Sequence, residues 1–167
     1  VQVDEILVAT GRRPNVDLGL ENASVTYTPK GIEVNANLQT SARHIYAAGD
    51  VLGHDAHTHT ALLESRIAAQ NLLQKQKVAP DYTATPRLTF THPGIASVGL
   101  SEDDCLKRDL SIKKSIAPLN MVARSNTSDF RDGFVKVIAD KNGVLIGATV
   151  VAPPAAEIIH ELGLALT

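Results

Sequence analysis

An α/β fold in two successive parts is what this sequence predicts, and three observations carry the prediction. Residues 3–73 run from apolar, strand-like stretches into one long stretch of helical periodicity. A polar linker, QKQKVAPDYTATP (Gln74–Pro86), then interrupts the pattern. Beyond it come short strands, an Asn-Gly hairpin and an apolar helix.

In chain order, VDEILVATG (Val3–Gly11) reads as a buried strand closing on Thr10-Gly11. GIEVN (Gly31–Asn35) reads as a short strand, and HIYAAGD (His44–Asp50) as another that ends at Asp50. A helix is predicted from about His59 to Leu73, with Leu62, Leu63, Ile67, Leu72 and Leu73 as its apolar side. After the linker, PRLTFTH and IASVGL are strands, and Ser101 before Glu102-Asp103-Asp104 is an N-cap with an acidic first turn. LSIKKSIAP is a third strand. In GFVKVIADKNGVLIGATVVAPP, Val135, Val137 and Ala139 alternate with more polar positions and Asn142-Gly143 supplies the turn. A Pro-started helix, Pro154–Leu166, closes the sequence. The chain opens at Val1 within a strand-like pattern and stops at Thr167 directly after an apolar helix with no stop signal. Both ends read as cuts through folded structure, so a fragment of a longer protein is expected.

The 167 residues are 44% apolar and 20% charged, as in an ordinary globular protein. A net charge of −2 with scattered Lys and Arg leaves no footprint for nucleic acid. The longest charge-poor apolar stretch, residues 142–156, is broken by Pro153-Pro154 and is too short to span a bilayer. With one cysteine, no internal disulfide framework exists, which fits a reducing, cytoplasmic setting.

The chemistry concentrates at HIYAAGDVLGHDAHTHTALLESR (residues 44–66). A carboxylate at the carboxyl end of a strand, followed by a helix start, sits where open α/β folds bind ligands. Asp50 is poised to accept hydrogen bonds from ligand hydroxyls, and Gly49 removes a side chain beside it. The helix start near His57, Thr58 and His59 offers N–H groups and a positive dipole end. The plainer alternative is a strand-to-helix turn with Gly for geometry and Asp as a cap.

Two stretches in order, ATGRRPN (Ala9–Asn15) and TSARHIYAAGD (Thr40–Asp50), resemble the second flavin-binding half of the pyridine nucleotide-disulfide oxidoreductases. That family includes dihydrolipoamide dehydrogenase, glutathione reductase and mercuric reductase. FTHPGIASVGLSE (Phe90–Glu102) and the stretch from Gly133 to Leu166 resemble its C-terminal dimerisation domain. The resemblance implies the distal part of an FAD-binding Rossmann-like domain over residues 1–78 and a dimerisation domain over 79–167, each incomplete. It implies that Asp50 binds the ribityl chain of FAD, that Gly49 lies near the pyrophosphate, and that His57, Thr58 and His59 turn backbone N–H groups to the flavin edge. Thr10 and Gly11 return the chain to the flavin domain near the cofactor; Arg12 and Arg13 are placed to add charge there, with surface solvation the expected role of at least one of them. The implied protein passes a hydride from NAD(P)H through FAD to a redox dithiol, with lipoamide, a glutathione-like disulfide or a metal ion as acceptor. It is a homodimer through residues 85–167. The family's Gly-rich fingerprints, paired redox cysteines and His-Glu dyad are not in this sequence, so no catalytic residue is assigned. A non-catalytic dimerisation module is the alternative.

Other chemistry-bearing residues read as structural. Cys105 sits in an acidic predicted helix and is inert. Adjacent helix residues His160 and Glu161 do not face each other. His54, Asp55, His57 and His59 match no zinc spacing, so no metal is expected. Phe90, Phe130 and Phe134 are expected in core or interface packing.

Overall fold

The computed structural model describes residues 2–128 and 130–167; Val1, where the predicted strand-like pattern opens, lies outside them. Two compact units divide the chain, Val1–Pro80 and Asp81–Thr167. Among the described residues no helix is long and apolar enough to cross a membrane.

The first unit has little regular sheet. Strands β1 (Tyr27–Thr28) and β2 (Gly31–Ile32) form a minimal antiparallel hairpin. The predicted strand from Gly31 to Asn35 is therefore realised over two residues only. The predicted strand His44–Asp50 reduces to one bridge, Gln39 to Tyr46, and Gly49–Leu52 forms a 3-10 turn instead. Val3–Gly11 is not a buried strand. Ile6, Leu7 and Val8 are 78%, 92% and 73% exposed, and no strand pairing reaches them. A strand exists only through a neighbour that satisfies its backbone, and this run finds none among the described residues.

Helix α1 spans Thr58–Leu73, one residue earlier than predicted. Its buried residues are Thr60, Glu64, Ala68 and Asn71, whereas Leu62, Leu72 and Leu73 are exposed. Of the predicted apolar side only Ile67 packs against the core, and Leu63 is half-buried. Asn71 explains part of the difference: its amide donates to the carbonyls of Asn37 (2.9 Å) and Val78 (2.7 Å), and its Oδ1 accepts the Val78 N–H (2.9 Å). A small core of Val25, Ile32, Leu38, Ala47, Leu52 and Ala68 completes the unit.

The second unit is a five-stranded antiparallel sheet of order β3-β4-β7-β6-β5: Arg87–Thr89, Gly94–Gly99, Leu145–Ala152, Phe134–Asp140 and Ile112–Pro118. All three strands predicted before Gly133, and both arms of the hairpin, are present. The loop residue Gly143 takes φ +91°, and the Asp140 carboxylate accepts the Asn142 and Val144 N–H groups. Ser101 caps α2 (Glu102–Lys107) in a capping box with Asp104, as its position predicts. A short helix α3 (Ala123–Thr127) follows β5. Helix α4 (Ala155–Leu164) is shorter than the predicted Pro154–Leu166 and lies on β4 and β7. Ala96, Val98, Ala148, Val150 and Ala152 meet Ala155 and Ile159 in one apolar core. Phe130 packs against that core, but Phe90 is 85% exposed and belongs to no core.

Candidate functional site

Asp50 stands on a short turn held from three directions. The first is the backbone itself: Gly49 takes φ +81°, which a side chain disfavours, and a Cβ there would meet Ala61 Cβ of α1 at 3.0 Å. Gly49 is thus required by its own conformation and by the helix packed behind it. The second is the β1–β2 hairpin. A Cβ on Gly53 would fall 1.5 Å from the Lys30 carbonyl oxygen, so the two backbones touch with no room between them. The third is Glu64, wholly buried on the inner face of α1, whose Oε2 accepts the Gly49 N–H at 2.6 Å. His54 Nε2 lies 3.4 Å from the other oxygen of the same carboxyl group.

The exposed Asp50 carboxylate opens on a concavity of about 320 Å³ that it shares with Arg12, Arg13, Pro14, Asn15, Gly53 and Ala56. An aspartate and two arginines in one lining suit a ligand that carries both hydroxyls and negative charge. Beside the turn, α1 begins at Thr58 with His57 as N-cap, and no side chain caps it. No acidic residue occupies its first turn. The rings of His57 and His59 lie 5.3 Å apart, tilted by 33°.

Of the residues singled out in the sequence, the structure brings Asp50 and Gly49 together with the two arginines and the start of α1. Thr10 and Gly11 are exposed and do not line the concavity, although they immediately precede the arginines that do. Gly11 takes φ +115° with open space around it. Among the described residues no three His, Cys, Asp or Glu side chains gather as a metal site. Cys105 is buried and free, and His160 and Glu161 are both exposed. Glu64 went unnoticed in the sequence. Its signal is the spacing of Thr60, Glu64, Ala68 and Asn71 along one helix side, which by itself reads as a solvated face.

Residues 1–70 match the family described as "Pyridine nucleotide-disulphide oxidoreductase", and residues 85–167 match its dimerisation domain. A dihydrolipoyl dehydrogenase of Staphylococcus aureus is 40% identical over 99% of this chain and 36% of its own length. A mercuric reductase of the same organism is 38% identical over 99% of this chain and 31% of its own. Among solved structures, LpdA from Mycobacterium tuberculosis superposes with a TM-score of 0.81 at 32% identity, covering 92% of this chain and 34% of that one. The HOCl-induced flavoprotein disulfide reductase RclA from Escherichia coli gives 0.84 at 26% identity, covering 95% and 37%. The chain spans about a third of the length of the curated relatives it matches. With both segments matched in order, the chain belongs to the pyridine nucleotide-disulphide oxidoreductase family.

Proposed function

We propose that residues 1–78 supply the distal wall of an FAD site, and residues 79–167 a dimerisation domain, to an FAD-dependent NAD(P)H oxidoreductase acting on a redox dithiol. The observation that carries this reading is Asp50, a carboxylate facing the Arg12–Arg13 concavity beside an uncapped helix start. These residues fit the cofactor's chemistry. Asp50 would accept hydrogen bonds from the ribityl hydroxyls, with Gly49 close to the pyrophosphate. The guanidinium groups of Arg12 and Arg13 suit its charge. The backbone of His57, Thr58 and His59 presents the positive end of α1, which favours an electron-rich ring edge and stabilises negative charge gathering there. Thr10 and Gly11 lead the chain to that wall. When bound, the flavin would supply two-electron transfer between the nicotinamide and a cysteine disulfide/dithiol pair.

The protein would act as a homodimer through residues 85–167, in the cytoplasm, where a lone buried thiol stays reduced. Asp50→Ala in the holoenzyme should weaken FAD binding by about 1–3 kcal/mol, because ligand hydroxyls lose their acceptor. Flavin fluorescence after dialysis reads this directly. Full flavin retention by that variant would remove Asp50 from the site.

A further inference from the structure

Glu64 is 0% exposed, and a buried carboxyl group is a costly way to fill a helix-packing position that Leu or Met could occupy. What it supplies instead is a grip on one turn. Its Oε2 accepts the N–H of Gly49, the residue before Asp50, at 2.6 Å. Its Oε1 lies 3.4 Å from Nε2 of His54, just beyond the turn that ends at Leu52. The carboxyl group therefore reaches both ends of the segment that carries Asp50. Gly49 makes that grip consequential. Gly49 takes φ +81°, a conformation that glycine adopts without steric cost but does not by itself fix, so the turn depends on outside contacts to hold it there.

We propose that Glu64 is a positioning residue that holds the Asp50 turn at the concavity, acting through Gly49 and His54 without touching a ligand. Its consequence for flavin rests on the assignment of Asp50 above. The two parts separate experimentally, because the grip can be read without flavin. Full-length protein carrying Glu64→Leu, which keeps volume but has no acceptor, is compared with Glu64→Gln, which keeps an oxygen for the Gly49 N–H. Amide hydrogen exchange of residues 46–53 is followed in the apoprotein, and flavin affinity is followed in the holoenzyme by fluorescence. Exchange should accelerate in the Leu variant and flavin affinity should fall about tenfold or more, while Gln stays within about threefold of wild type. Faster exchange with unchanged flavin affinity would sustain the grip and overturn the flavin assignment of Asp50 instead. A folded Leu variant with wild-type exchange overturns the proposal, as does a Gln variant impaired as much as Leu. Should the Leu variant fail to fold, Glu64→Asp, one methylene short of Gly49, takes its place; wild-type exchange in that variant overturns the proposal equally.

Discussion

Helix α4 buries Ala155, Ile159 and Gly163, whereas α1 buries Thr60, Glu64, Ala68 and Asn71. The first helix rests on a sheet face made of Ala96, Val98, Ala148 and Val150, so its contacts are apolar and non-directional. The second rests against loops: Gly49 and His54 at one end, Asn37 and Val78 at the other. Loops carry backbone groups that no sheet satisfies, and where these are buried against a helix its directional polar side chains can meet them. The difference teaches that a helix's inner face is chosen by what lies beneath it. A sheet asks for methyl groups; a set of turns asks for a carboxylate and an amide.

Substitutions can break that contrast. Ile159→Asp places a charge in the apolar core and should cost about 3–5 kcal/mol in urea unfolding of the second unit. A midpoint close to wild type would mean that α4 does not close this core. Asn71→Ala should cost less, about 1–3 kcal/mol, and locally. The Val78 amide, which loses its Oδ1 acceptor, should exchange faster while the sheet of the second unit keeps its protection. Slow exchange at Val78 in that variant would contradict the polar-staple account.

The smallest effect concerns a surface tie. Glu102 is bonded by Lys114 at 2.6 Å and by Lys136 at 2.8 Å, joining the start of α2 to β5 and β6. The Lys114 bond first, then Lys136, lowers its carboxyl from 4.5 to about 2. Because the folded-state value is depressed, this contribution is present above pH 4.5 and is lost as pH falls toward about 2. Glu102→Gln should therefore flatten the decline of stability across that acid window and change little in its shape above it. An identical acid profile in the two proteins would show that the tie is screened by solvent.

How much of this was readable in advance differs between the units for a physical reason. Each strand from β3 to β7 is antiparallel to its neighbours, and the β6–β7 pair is joined by a short loop at Asn142-Gly143. Alternation, turn residues and the Ser101 cap are local signals, and there the local signals agree with the fold. Val3–Gly11 has an equally strong apolar pattern, but a pattern does not make a strand without a partner. His44–Asp50 pairs only at the Gln39–Tyr46 bridge, because from Gly49 onward the chain turns into a 3-10 segment that packs on α1.

The sequence by itself determined the antiparallel unit and the existence of α1 and singled out Asp50 as a candidate, because turn chemistry, periodicity and a carboxylate before a helix start are written in neighbouring residues. Only the tertiary structure decided which side of α1 faces inward, and that Arg12 and Arg13 line one concavity with Asp50. It also decided that Glu64 would reach back to Gly49. Each of those depends on residues outside one another's helical turn meeting in space, fifteen positions apart for Gly49 and Glu64, which no local spacing encodes.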